Sequence, residues 1–304
     1  MNHAFANHGI PRTVNVDGLT CLAFNEQAPG TPVVLIHGLL CSIYFWYPKH
    51  LSVFGDRPVY SIALPGHYPA PALKSGEQIT PGRLVEAVFS QIEALMGQRR
   101  CILVGHSTGA HAALLAAAAR PEKVEGVVSI GGSLSGKEEG GIYAAFQRLA
   151  KFGLPGRSLI ALGLKVNAVS LGVHKIFMRD VVAEPDRFFE DTDANHYVSY
   201  YFPALKAISS LSMASYFRDL ASLDLSPYML KVTAPVLVMS GNQDPYVPIP
   251  NTEALHASLT NSKMTLIDRS GHLPMFENWP LYHAAMTSFM DRVSSKADVE
   301  ETAR

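Results

Sequence analysis

The stretch Cys101-Ile102-Leu103-Val104-Gly105-His106-Ser107-Thr108-Gly109 constrains this chain more than any other. Four apolar residues run into Gly-x-Ser-x-Gly, and an alanine- and leucine-rich segment follows over 112–119. A short apolar run before a turn signal reads as a buried parallel strand, and the alanine run has high helix propensity. The serine is therefore expected on a strand-to-helix turn. Gly105 and Gly109 suit a turn so sharp that no side chain fits against the neighbouring strand or helix. Such a turn lifts the Ser107 hydroxyl above the strand's carboxyl end, beside the unpaired N–H groups of a helix N-terminus. The string arises by chance in about one chain in ten of this length. Its weight therefore comes from its flanks and from the rest of the chain.

The rest alternates strand and helix. Segments 12–16 and 19–25 flank Asp17-Gly18, a hairpin signal. A strand over 32–36 ends in His37-Gly38-Leu39-Leu40, a short helix is expected over 45–54, and a strand over 58–64 stops at Pro65-Gly66. Thr80-Pro81 marks the start of a helix running to about Met96, and 124–130 reads as a strand after the serine's helix. From 134 to about 225 no β-branched run resembles a core strand, and apolar and aromatic residues recur at helical spacing. Gly131-Gly132-Ser133 lacks the rest of a dinucleotide fingerprint and reads as the hinge into this segment. Strands at 236–240 and 264–267 and helices at about 252–259 and 281–293 then resume the pattern, and 296–304 reads as a frayed, charged end. The expectation is an α/β fold with a doubly wound, mostly parallel sheet. Residues 1–133 and 226–304 would form the core domain, and 134–225 an inserted helical lid.

Composition narrows the function. A chain of 304 residues with 48% hydrophobic content can bury a large core, and a net charge of −1 favours neither nucleic acid nor an anionic membrane. Cys21, Cys41 and Cys101 have neither metal-ligand nor disulfide spacing, so buried free thiols in a reducing compartment are expected. His67, His174 and His196 lack zinc-ligand spacing as well. Residues 1–12 show no secretion signal, and the apolar window 158–177 contains Lys165, Asn167 and His174. The reading is a soluble, cytoplasmic protein without stable membrane insertion, without metal and without cofactor.

In open α/β sheets ligands bind beyond the carboxyl ends of the strands. There the chain places Ser107, then Asp244 in Gly241-Asn242-Gln243-Asp244, then His272 in Ser270-Gly271-His272. A serine hydroxyl needs a hydrogen-bonded base to act as a nucleophile at neutral pH. His272 can take that proton and return it to a leaving group. Asp244 can hold the imidazole tautomer and stabilise the imidazolium. Asp219, Asp224 and Asp268 are alternative acids less well placed: Asp224 precedes a strand and Asp268 lies four residues from His272. His37, His106 and His111 read as packing or hydrogen-bonding residues.

Chain order, spacing and flanking motifs resemble the α/β-hydrolase superfamily from about Leu19 to Val293. The resemblance rests on His37-Gly38, Gly105-His106-Ser107-Thr108-Gly109, Gly241-Asn242-Gln243-Asp244 and Gly271-His272. It implies Ser107 as nucleophile, Asp244 as acid and His272 as base, with the backbone N–H groups of Leu39 and Thr108 as oxyanion hole. The His-Gly-x-x…Trp arrangement, with Trp46, is similar to the lidded esterase, epoxide hydrolase and dehalogenase branch. Those last two groups carry aspartate at the elbow, whereas this chain has Ser107. After the fourth strand the family's Asp-x-x-Gly-x-Gly-x-Ser is replaced by Ala63-Leu64-Pro65-Gly66-His67-Tyr68-Pro69-Ala70. The resemblance implies a cofactor-independent serine hydrolase acting on a small apolar ester. Carbon–carbon hydrolysis of dienone-type ketones, perhydrolysis, thioesterase or acyltransferase activity, and a triad-retaining receptor are the alternatives. The aromatic residues Phe188, Phe189, Tyr197, Tyr200, Tyr201 and Phe202 read either as lid core or as a substrate-facing wall, with the three tyrosines and Trp46 as the candidate substrate-binding residues. An apolar wall implies that kcat/KM climbs from acetyl to medium-chain esters and then falls.

Overall fold

The computed structural model describes residues 12–302 other than Asp17 and Tyr47, with side chains as far as Ser294 apart from that of Pro48. Its strands are β1 (Arg12–Val16), β2 (Leu19–Phe24), β3 (Val33–Ile36), β4 (Val59–Ile62), β5 (Cys101–His106), β6 (Val124–Ile130), β7 (Val236–Gly241) and β8 (Ser262–Ile267). They form one sheet in the order β1-β2-β4-β3-β5-β6-β7-β8. The pairs β1–β2 and β2–β4 are antiparallel, and every other neighbouring pair is parallel. Half of the expected hairpin signal, Asp17, lies outside the described residues; Gly18 takes φ +81° and donates its N–H to Asn15 Oδ1 at 3.1 Å.

The parallel strands β3, β4, β5 and β7 are buried on both faces, which is why they read as unbroken apolar runs and not as alternating ones, whereas β8 at the sheet edge is only partly buried. Helices α1 (Pro48–Leu51), α2 (Pro81–Met96) and α3 (Thr108–Ala119) follow β3, β4 and β5. The first is shorter than expected. Its described part opens at Pro48 and tightens into a 3₁₀ turn at Ser52–Phe54, and Tyr47, within the expected helix, lies outside the described residues. Thr80 caps α2 as expected, its side chain accepting the Arg83 N–H at 3.2 Å. Helix α3 is apolar all round and almost wholly buried, as the alanine run requires.

Between β6 and β7 come α4 (Gly141–Ala150), α5 (Gly153–Asn167), α6 (Leu171–Met178), α7 (Pro185–Glu190), α8 (Thr192–Ala207) and α9 (Ser210–Leu220), with no strand of the sheet among them. The chain closes with α10 (Ile249–Ser258), α11 (Pro274–Glu277) and α12 (Trp279–Thr302), the last running well past its expected end near 293. The loop after β4, where the family's acidic residue and second glycine are missing, is held by α9. Tyr216 Oη donates to Pro65 O at 2.8 Å, Ser212 Oγ accepts the Leu73 N–H at 2.9 Å, and Asp219 Oδ2 accepts the Ile79 N–H at 2.8 Å. Among the described residues no single helix is long and apolar enough to cross a membrane.

The chain leaves β3 for β4 on one side and returns to β5 on the other, so the strand order reverses between β3 and β5. A ligand crevice is expected at that point. Pairing of Ile36 with Gly105 sets His37-Gly38 beside the turn that carries Ser107.

Candidate active site

Ser107 sits at φ 52°, ψ −119° between β5 and α3. A non-glycine residue held there costs about 1–3 kcal/mol and persists only where its surroundings enforce it. Three glycines provide that enforcement. A Cβ on Gly105 would lie 2.2 Å from Gly109 O, and one on Gly109 would lie 2.1 Å from Ile36 O. A Cβ on Gly38 would lie 2.8 Å from His106 Nδ1 and 3.2 Å from Ser107 Cβ. β3 and its loop thus lie directly on the elbow. The Ser107 N–H donates to Ile130 O at 2.8 Å, which ties the turn to β6. Leu40, in the loop after β3, is also left-handed at φ 60°.

His272 Nδ1 donates to Asp244 Oδ2 at 2.8 Å, both side chains being buried. The other carboxylate oxygen, Oδ1, accepts the N–H groups of Tyr246 at 2.8 Å and Val247 at 3.0 Å. Burial alone would raise the Asp244 pKa, but His272 and these two N–H groups hold it below the ordinary value. Burial works against the His272 imidazolium, yet Asp244, with Glu138 and Glu277 beyond it, raises this histidine above its usual value. Nε2 is the ring nitrogen left for Ser107, which lines the same cavity. No hydrogen bond joins the two among the described residues; such bonds commonly tighten only when substrate is bound. The alternative acids are engaged elsewhere: Asp219 with Arg218 and Ile79 N–H, Asp224 with Ser226 N–H, Asp268 with Asn242.

The flanking histidines hold the framework. His106 Nε2 donates to His272 O at 2.8 Å, linking the elbow to the base's loop. His37 Nε2 accepts the Leu64 N–H at 3.2 Å and Nδ1 donates to Gly38 O at 2.9 Å, which fixes its neutral tautomer. Burial lowers the pKa of His37 to about 4 and that of His106 to about 3, so both are uncharged at neutral pH. The N–H groups of Leu39 and Thr108 donate to no acceptor among the described residues, and both residues are buried beside Ser107. Buried N–H groups are seldom left unpaired. Two such donors beside one hydroxyl match what a site for a developing negative oxygen requires.

The cavity over Ser107 has a volume of about 70 Å³ and is roofed by residues of α4, α5, α6 and α8. Tyr197 and Tyr201 line it as expected, whereas Trp46 and Tyr200 do not. Trp46 is buried edge-on against Phe45, at 5.0 Å between rings, and Phe45 is the residue that faces the cavity. Tyr200 lies edge-on to Tyr44 outside the wall. Both corrections have one cause: neighbouring positions on a helix or loop point to different sides, and sequence alone does not say which side is inward. Cys21 and Cys101 are buried free thiols as expected, but half-buried Cys41 lies in the cavity wall, its thiol pushed up to about 12 by burial.

Several residues near the site were not legible in sequence. Glu277 accepts Ala183 N–H and Gly271 N–H on Oε2, at 2.7 and 2.9 Å, and Leu273 N–H on Oε1 at 3.0 Å. The residue six positions before it in that clamp is His272's neighbour Gly271, the only available hint of its role. Glu138 is half-exposed as a residue, yet its carboxyl is withdrawn from water and rises to about 7 through burial, against the pull of His272. It sits in Lys137-Glu138-Glu139-Gly140, which reads as a solvated loop. At the cavity's roof His174 Nδ1 donates to Asn167 Oδ1 at 2.8 Å, and His174 Nε2 meets the Tyr201 hydroxyl.

The chain is similar to known proteins along most of its length. The bifunctional biotin biosynthesis protein BioHC of Cellvibrio japonicus is 22% identical over 281 residues, covering 90% of this chain and 50% of that one; the chain spans half the length of this relative. The pimeloyl-(acyl-carrier protein) methyl ester esterase of Neisseria meningitidis is 25% identical over 269 residues, 86% of this chain and 94% of that one. A solved thermophilic esterase from Thermogutta terrifontis has the same fold, with a TM-score of 0.70, 16% identity and coverage of 94% of this chain and 99% of that one. A model described as the alpha/beta hydrolase family matches residues 33–285. On the extent of that match and the fold that carries it, this chain is an α/β-fold enzyme belonging to the alpha/beta hydrolase family.

Proposed function

We propose that the protein is a serine hydrolase that cleaves a carboxylic ester through an acyl-enzyme, with Ser107 as nucleophile, His272 as general base and Asp244 as its orienting acid. The supporting observation is the 2.8 Å hydrogen bond from His272 Nδ1 to buried Asp244, in a cavity whose other wall is the strained Ser107 turn. Nε2 of His272 removes the Ser107 proton as the hydroxyl oxygen attacks the ester carbonyl carbon. The carbonyl oxygen takes up the electron pair, and the Leu39 and Thr108 N–H groups stabilise it; each such donor is worth about 3–4 kcal/mol. The imidazolium then protonates the departing alcohol as the carbon–oxygen bond breaks. Water, deprotonated by the same nitrogen, releases the acid and restores the serine. No step calls for a cofactor.

Residues 134–225 act in this reading as a lid, and Tyr197 and Tyr201 contribute to the acyl wall. The Neisseria relative, named for hydrolysis of a methyl ester, favours ester over carbon–carbon cleavage as the first chemistry to assay. A fluorophosphonate probe tests the reading: it is expected to label Ser107 and no other residue, with turnover of p-nitrophenyl acetate abolished in step. Labelling without turnover would mark a binding protein that retains the machinery, and absence of both would overturn the proposal.

A further inference from the structure

The outward face of α5 breaks the usual rule for a surface helix. Its inner side buries Ile160, Ala161 and Leu164, and Leu164 and Asn167 reach the cavity. Its outer side should then be polar, but Leu159, Leu162 and Val166 recur there at spacings of three and four residues, and Val169 follows just beyond the helix end. With Phe152, Leu154 and Ile176, every one of these except Val166 is between 57 and 74% exposed, and Val166 is 45% exposed. Scattered exposed leucines need no explanation, whereas a contiguous apolar face of this kind marks a surface that another phase or molecule covers.

Charge indicates which. From Lys151 to Arg179 the chain carries Lys151, Arg157, Lys165, Lys175 and Arg179 and no acidic residue, although the whole protein has a net charge of −1. Arg157 donates to Ser215, Lys175 to Asn195 and Arg179 to Asp186. Lys151 and Lys165 are exposed and form no ion pair among the described residues. An apolar helix face rimmed by lysines is the pattern of a helix lying in a membrane interface. A second copy of the chain fits less well, because a twofold contact through this face would set basic residues against basic residues.

An outer groove begins beside Lys165 and Ala168, which neighbour Val166 and Val169 of this face in sequence. Leu40, Leu164, Asn167 and Leu205 line both the cavity over Ser107 and this groove, whose rim carries Lys165, Lys206 and the exposed Leu211.

We infer that the outer face of α5, with the end of α6, docks on an anionic lipid surface, and that the groove beside it admits an ester dissolved in that surface. Docking stands apart from the proposed chemistry; the delivery of substrate rests on the serine-hydrolase reading. Co-sedimentation of the full chain with phosphatidylcholine vesicles, with and without phosphatidylglycerol, tests the docking. Binding is expected to the anionic vesicles and to weaken with salt. Lys151→Glu should lower affinity about tenfold or more, since each cation at such a surface contributes about 1 kcal/mol and the change reverses the charge. Leu159→Ser with Leu162→Ser should do the same by removing the apolar contact. Both variants are expected to hydrolyse soluble p-nitrophenyl acetate like the wild type, which shows that they are folded. Equal binding to neutral vesicles, no binding, or binding that neither variant alters would overturn the inference. So would a dimer in solution that these substitutions dissolve. Ser107→Ala should bind the vesicles unchanged, so failed hydrolysis and failed docking are told apart.

Discussion

Glu277 accepts the N–H of Ala183 and the N–H of Gly271 on the same carboxylate oxygen, at 2.7 and 2.9 Å. One half-buried side chain therefore clamps the segment after α6 to the loop that carries His272. The approach is close: a Cβ on Gly271 would lie 2.7 Å from Val181 O and 2.8 Å from Ala183 N, and the His272 N–H donates to Val181 O. Burial raises the Glu277 pKa and the three N–H donors oppose it. Glu277→Gln replaces one acceptor oxygen by an NH₂ group facing a donor, and should cost about 1–3 kcal/mol of stability. The expected result in chemical denaturation is a lower midpoint with an unchanged slope, and in kinetics a fall in kcat exceeding any change in KM. An unchanged midpoint would show that the clamp is dispensable.

The choice of acid is tested by two asparagine variants made side by side. Asp244→Asn should reduce kcat by about 10⁴-fold, because the imidazole then adopts the wrong tautomer. Asp268→Asn should leave turnover within severalfold of wild type, since Asp268 bonds to Asn242 and not to His272. Ser107→Ala should lose at least about 10⁴-fold with its unfolding midpoint little altered. The reverse ranking of the two carboxylates would place the acid wrongly.

The pH profile should carry two signatures. His272 acts as a base only when neutral, and its pKa is raised above 6.5, so the acid limb of kcat/KM should lie above pH 6.5. Activity is present above that limb and is lost as pH falls through it. Glu138, whose carboxyl rises to about 7, favours the His272 imidazolium whenever it is ionised. Glu138→Gln removes that negative charge and should move the limb to lower pH. A limb that stays in place would mean that solvent screens the pair fully.

The cavity revises the expected chain-length preference. About 70 Å³ is less than half of the roughly 150 Å³ that accommodates a benzene molecule. Without vesicles, kcat/KM should therefore be highest for acetyl and butyryl p-nitrophenyl esters and not for medium chains. Tyr197→Ala opens the roof and should shift the optimum to longer acyl groups while Ser107 labelling persists. Undiminished turnover of octanoyl esters by the wild type would show that the helices over Ser107 separate freely in solution.

The elements that carry Ser107, Asp244 and His272 were legible because each leaves a local trace: an apolar run, a turn residue, a chemically distinctive side chain. Gly105 and Gly109 could be assigned a steric job from sequence, and the distances to Gly109 O and Ile36 O give that job its magnitude. The roof was legible only as helical. Tyr200 and Tyr201 are adjacent in sequence, yet only Tyr201 faces the cavity, and that difference depends on how α8 is rotated against its neighbours. Glu277 and Glu138 were illegible for a related reason. An acid in a charged loop or a short helix looks solvated until tertiary contacts remove its water. Net charge is likewise a sum over the whole chain, and a total of −1 does not show that the charged side chains from Lys151 to Arg179 are all basic.

The turn that bears Ser107 is walled by backbone atoms: Gly109 O faces Gly105, and Ile36 O faces Gly109. Where the neighbours are carbonyl groups and not side chains, no compensating substitution nearby can make room for a larger residue. Directed evolution of this enzyme should consequently find almost no tolerated change at Gly105 or Gly109. The roof, built from side chains on separate helices, can be repacked one contact at a time. Selection for a new substrate would then accumulate its changes in α4 to α8 and leave the turn untouched, so the machinery and the specificity of this protein can diverge at different rates.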